Sequence, residues 1–169
     1  MSINSDSVSQ PYQKYFKLAT GKDVLQELRT SGFRTQELIH GIAESKAGFR
    51  YEPDKWTIGE VFEHLLDTER VFAYRALLFA RGETVISYSF DQDMFAKNAN
   101  SSGRSLSKMA DELMRLRSSA LDLFGSFSPA ALQRQGTLNG VEMTAEIMGF
   151  CIVGHEAHHR RILEERYLK

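Results

Sequence analysis

Cysteine occurs once in the 169 residues, at Cys151. That excludes an internal disulfide and suits a reducing compartment, so the expected location is the cytoplasm. Proline is nearly as scarce, with 3 in the chain, which leaves room for long uninterrupted helices. No apolar run approaches the roughly 20 residues that a membrane-spanning helix needs, and the opening MSINSDSVSQ is polar rather than signal-like. Neither sign of charge dominates: 21 basic residues face 22 acidic ones, for a formal net charge of −1. A chain so balanced carries no electrostatic footprint for nucleic acid or for an anionic membrane surface. A glycine-rich phosphate loop and a nucleophile elbow are also missing. What is left, 42% hydrophobic and 25% charged, is an ordinary soluble composition, long enough for one domain with a sizeable core.

What the sequence does have is helical periodicity. Residues 1–18 are Ser- and Gln-rich and are expected to form a flexible arm, with a short helical turn around Tyr12 to Leu18. The domain is expected to span 19–169. Val24, Leu25, Leu28, Phe33, Leu38, Ile39 and Ile42 mark a first helix between Lys22 and Ser45. In WTIGE, Thr57 and Glu60 have the spacing of a capping box, and Val61, Leu65, Phe72, Ala76 and Phe79 carry a second helix to about Ala80. The stretch from Arg81 to Arg104 reads as a crossover with at most one short helix. A third helix is expected from Leu106 to Ser126. Ser128-Pro129 signals a short helical turn, and Asn139-Gly140 signals a type I′ hairpin. A fourth helix is expected from Thr144 to Tyr167. Four long helices in one domain predict an all-α, four-helix bundle.

The last helix carries three histidines within GHEAHHRRILEER, Gly154 to Arg166. On a helical wheel, Ile147, Met148, Cys151, Ile152, Ile162 and Leu163 fall within roughly 80° of His155. His159 lies about 40° from His155 within that stripe, while His158 lies about 60° away at the other edge. Arg160, Arg161, Glu164 and Glu165 are assigned to the outward face. His155 and His159 are one turn apart, close enough to share an ion, and neutral imidazole is a good ligand for zinc, nickel, iron or copper. A pair is not a site, because a third protein ligand is needed. His64 is the other strong candidate, read as lining a cleft at the bundle edge. Cys151 is one turn before His155, so thiolate ligation is geometrically open, although a lone inward cysteine usually acts as a small hydrophobe. His40 reads as a surface residue. Glu156 and Asp67 are weak candidates for a general base, and Glu69, Arg70 and Arg75 read as surface ion pairs. The letters HEAHH also fit HEXXH, but only ten residues follow His159, too few for a protease cleft and its downstream ligand.

Two segments together, YEPDKWTIGEVFEHLLDTER and IVGHEAHHRRILEERYL, resemble the DinB-like superfamily of metal-binding four-helix bundles. The likeness runs from about Leu18 to Leu168. It implies an up-down-down-up bundle in which 81–104 is the long crossover between helices two and three. It also implies a divalent metal, zinc or nickel, on three histidines, which carry over by motif to His64, His155 and His159. Homodimers are frequent in that family. Its members include transferases that use bacillithiol, mycothiol or glutathione, a maleylpyruvate isomerase and metal-dependent hydrolases. The leading expectation is activation of a low-molecular-weight thiol for transfer to a small electrophile. Two alternatives stand beside it: a hydrolase using water on the metal, and a non-catalytic metal-binding or stress-related dimer.

Overall fold

The computed structural model describes residues 12–19, 21, 23–87 and 89–169. A single-turn helix, α1 (Gln13–Phe16), precedes α2 (Val24–His40), and α3 (Ile58–Arg81) follows a loop with a 3-10 turn at Glu44–Lys46. Strand β1 (Val85–Ile86), helix α4 (Gln92–Asn98) and a 3-10 turn at Ser101–Gly103 fill the stretch before α5 (Leu106–Gly125). Then come the short α6 (Pro129–Leu132), a hairpin of β2 (Gln135–Leu138) and β3 (Val141–Thr144), and α7 (Ala145–Ile162). The chain continues from α7 into a π-helical turn, Leu163–Tyr167.

Side-chain caps set where the long helices begin. Asp23 caps α2, Ser105 caps α5 and Thr144 caps α7, each accepting from a backbone N–H three residues on. At α3 both halves of the capping box form: Thr57 Oγ1 accepts from the Glu60 N–H at 3.1 Å, and Glu60 accepts from the Thr57 N–H at 2.6 Å. Gly82, at φ 100°, ends α3 in the left-handed conformation that glycine adopts without strain. The first long helix stops at His40 rather than near Ser45, because Gly41 is a weak helix former and closes the last turn.

Helix α2 packs on α5 and α7, and α3 packs on the same two, so α2 and α3 are diagonal partners. Core composition gives the directions. Val24, Phe124, Phe79 and Met148 share one apolar cluster, while Ile39, Leu106, Ile58 and Leu163 share the other. The bundle is therefore up-down-down-up, as the family resemblance implies. Residues between the two clusters are polar and buried: Ser31 and Thr35 on α2, His64, Thr68 and Glu69 on α3, Arg117 on α5, His155 and Glu156 on α7. The bundle thus holds a polar layer at mid-height between two apolar ones.

The hairpin is present with Gln135 opposite Thr144 and Leu138 opposite Val141. Asn139 (φ 50°) and Gly140 (φ 79°) make its turn. Strand β1 adds to it in parallel, Ile86 beside Leu138, an addition that two residues of sequence do not signal. Of the expected arm, residues 1–11 lie outside the described residues. Residues 12–19 dock on the bundle, with Phe16 buried and its ring meeting Phe150 edge-on at 5.5 Å. No helix of the described residues is long and apolar enough to cross a membrane.

Candidate metal centre

His64 lies two turns into α3, and His155 and His159 lie in the second half of α7. Because the two helices run antiparallel, these positions meet. The His64 Nε2 atom is 3.0 Å from Nε2 of His155, and Nε2 of His159 is 3.2 Å from the same atom. One nitrogen from each residue lies within 4.8 Å of the others, and no Cys, Asp or Glu among the described residues joins the group. Three imidazole nitrogens converging on one point are the donor set and spacing that a single divalent ion takes. His64 and His155 are 4% and 5% exposed, and His159 is partly buried. Burial pushes His64 down to about 4 and His155 and His159 well below the ordinary imidazole value, the last two helped by neighbouring rings. The rings are therefore neutral near pH 7, the form that donates a lone pair.

Neighbouring side chains fix the rings. Thr68 Oγ1 stands 3.5 Å from Nδ1 of His64, leaving Nε2 to face the other two histidines. Trp56 lies 4.8 Å from the His64 ring and stacks at 6.5 Å on that of His159. Tyr15 meets His155 edge-on at 5.1 Å. Among the described residues, two cavities large enough for a small molecule reach the trio. One, of about 310 Å³, touches His64 and His155. The other, of about 260 Å³, touches His159 and is lined by Trp56, Tyr51, Asp54 and Asp93.

The remaining expected residues fall elsewhere. His158 is partly buried against Tyr15 and outside the trio. Cys151 is fully buried and also outside it, and His40 is exposed. Glu156 points to the α2 and α5 side, where Oε2 accepts from Ser31 Oγ and, at 3.0 Å, from Arg117. Burial opposes charge on Glu156, but Arg117 and Arg160 outweigh it and hold the carboxyl below its ordinary value. Asp67 is paired with Arg70 at 3.5 Å.

Three sequence readings are corrected here. Glu69 and Arg75 are not surface residues, being 4% and 5% exposed, and Glu69 instead receives two hydrogen bonds from Arg117 at 2.8 and 2.9 Å. Arg160 does not face outward, because it donates to Ser31 and Thr35 of α2. His64 does line a cavity, as expected, but it is buried at mid-height rather than placed at a bundle edge. Arg117 was missed altogether, although the spacing held a signal. It stands four residues after Leu113 and three before Ala120, on the inward stripe of α5.

The DinB superfamily model matches residues 27–163. The chain belongs to the DinB superfamily. Among solved structures, this DinB-superfamily chain is similar to YfiT from Bacillus subtilis, described as a probable metal-dependent hydrolase with an unusual four-helix bundle topology. The TM-score is 0.76 at 19% identity, over 86% of this chain and 84% of the other, a likeness of fold. No curated protein matches.

Proposed function

We propose that the chain is a metal-dependent enzyme in which His64, His155 and His159 hold one divalent ion, zinc or nickel, beside a small-molecule cavity. The observation that carries this reading is the convergence of three Nε2 atoms between two cavities, one lined by His64 and His155 and the other by His159. A divalent ion on three imidazoles lowers the pKa of a thiol or water it binds and supplies it as a nucleophile near neutral pH. The chain's own residues do the rest. Burial keeps the imidazoles unprotonated, Thr68 and Trp56 hold their orientation, and Tyr15 and Phe72 exclude water around His155.

The preferred nucleophile is a low-molecular-weight thiol, transferred to a small electrophile. Glu156 and Asp67, the carboxylates expected as bases, are both engaged by arginines. A thiol, with an ordinary pKa of about 8.5, needs less help to ionise than water does. The second reading is a hydrolase. It is favoured by the likeness to YfiT and by Asp54 and Asp93, which share a cavity with His159. The two open cavities weigh against a closed, non-catalytic metal centre.

Metal analysis of the purified protein and of His64→Ala, His155→Ala and His159→Ala tests the centre. Near-stoichiometric metal in the native chain and its loss in each variant is the expected result, and retention in all three would sink the site. Metal-loaded protein is then offered glutathione, bacillithiol and mycothiol with a standard electrophile, and separately an ester and amide panel. Conjugation supports the thiol reading. Hydrolysis alone, lost in Asp54→Asn or Asp93→Asn, replaces it with the second.

A further inference from the structure

We propose that Glu156 is a positioning residue for His64, acting through Thr68 and one water molecule held in a small cavity between α3, α5 and α7. This deepens the centre proposed above and rests on that reading for its effect on an ion. The water site does not depend on it.

Three observations carry it. The first is a buried oxygen without a donor. Oε2 of Glu156 accepts from Ser31 and from Arg117, whereas Oε1 is buried and has no hydrogen-bond partner among the described residues. A carboxylate oxygen left dry in the interior is costly, and such groups are commonly met by an ordered water. The second is the space beside it. Glu156 lines a cavity of about 10 Å³, about the least that holds one water molecule. Thr68, Glu69 and His155 supply the rest of its polar lining, the other walls are apolar, and every lining residue is buried. A buried water typically makes about three hydrogen bonds, and this lining offers them. Oε1 of Glu156 accepts one. The Glu69 carboxylate, whose oxygens accept from Arg117 at 2.8 and 2.9 Å, has lone pairs left to accept another. The Thr68 hydroxyl gives the third.

The third observation sets the direction of the chain of bonds. An imidazole that lends Nε2 to an ion carries its proton on Nδ1. Nδ1 of His64 stands 3.5 Å from Thr68 Oγ1, while its Nε2 faces His155. The Nδ1–H therefore donates to Thr68, and the hydroxyl, which has a single proton, donates to the water. The water in turn donates to Glu156, whose carboxylate is held by Arg117 at 3.0 Å. Every donor then points from the histidine toward the carboxylate. Such a chain keeps the ring in one tautomer and orientation and makes Nε2 a better electron-pair donor. It also ties the histidine trio to the Arg117 ion pairs.

The test has two arms. A high-resolution crystal structure of chelator-treated protein should show one water in this cavity, about 3 Å from both Glu156 Oε1 and Thr68 Oγ1. A dry cavity, or Glu156 Oε1 bonded to a protein donor instead, overturns the proposal. Zinc affinity, measured by competition with a chromophoric chelator, reads the rest of the chain. Thr68→Val, which exchanges the hydroxyl for a methyl, should weaken zinc about tenfold, while Thr68→Ser, which keeps the hydroxyl, should stay near the native affinity. The opposite ranking would mean that Thr68 acts by packing alone, and overturns the proposal. Glu156→Gln should also cost about tenfold, and combining it with Thr68→Val should cost no more than either alone, because each breaks the same chain. A loss of about a hundredfold in the double variant means two independent effects and overturns it. Should Glu156→Gln fail to fold, the two Thr68 variants and the water's contact with Oε1 still decide. The first arm is read without metal, so failure of the metal centre and failure of the water site are distinguished.

Discussion

Arg117 stands where α2, α3, α5 and α7 meet, and its guanidinium joins Glu69 and Glu156 while donating to the Leu28 carbonyl. All three side chains are almost fully buried, at 4% exposure or less. Arg117→Met keeps most of the volume but removes the cation that pairs both interior carboxylates, leaving Arg160 3.7 Å from Glu156. A loss of about 3–5 kcal/mol follows, because removing one partner leaves uncompensated buried charge. Urea unfolding measures it. Adding Glu69→Gln and Glu156→Gln to the same chain should restore much of the stability. If it does not, packing rather than charge is what Arg117 supplies. A second residue offers a direct readout of the site. Trp56 is the single tryptophan, and its ring borders both His64 and His159. Nickel added to chelator-treated protein should therefore quench the intrinsic fluorescence, zinc much less so, and His64→Ala should abolish the nickel effect. Quenching that persists unchanged in the His64, His155 and His159 variants would place the ion elsewhere.

At the scale of elements, α1 owes its place to Gly154. A β-carbon at 154 would stand 1.7 Å from the Tyr15 carbonyl oxygen, so only glycine admits the α1 backbone against α7. Mid-helix glycine costs roughly 1 kcal/mol against alanine, a deficit the docking of Phe16 and Tyr15 offsets. Gly154→Val should therefore undock α1, removing Phe16 from the first apolar cluster while leaving the rest of both clusters intact. Hydrogen exchange at residues 12–19 should rise sharply, with the rest of α3 and α5 protected. Unchanged protection of α1 would contradict this account. The same glycine shows what was legible in the sequence and what was not. Thr57, Glu60, Asn139 and Gly140 announced a cap and a turn because their partners lie within a few residues. The histidine pair was legible from its spacing, and His64 from the motif around Trp56. The docking of α1 was not, since its signal is a missing side chain far along the chain. Strand β1 is too short to show a period, and Glu69 and Arg75 looked solvated because residues they meet, Arg117 and Phe90, sit on other segments of the chain.

For the whole molecule, the arrangement is two apolar cores separated by a polar, ion-paired layer. The crossover between α3 and α5 closes one side of it: Ser89, Phe90 and Gln92 line the cavity at His64, so this connection is a wall of the site. Interrupting a core with charge is costly unless every group is paired, and the ion-paired network around Arg117 spans all four long helices. Such a bundle should open as one unit rather than helix by helix. Cys151 tests that cooperativity. It belongs to the first apolar cluster and is fully buried, and burial raises its thiol well above the ordinary value. In the native state it should resist disulfide reagents, with a labelling rate that follows global unfolding, so that urea accelerates it in step with loss of helical circular dichroism. The same shift has an alkaline consequence with a definite sign. The folded state keeps a proton that the unfolded chain releases above about pH 8.5, so stability is full below that pH and falls as pH rises, by about 1.4 kcal/mol per unit from this group. Cys151→Ala should flatten that part of the profile relative to the native chain. Fast labelling of Cys151 in buffer, with helicity intact, would mean that the α7 side of the core opens locally and that the polar layer does not bind the two halves into one cooperative unit.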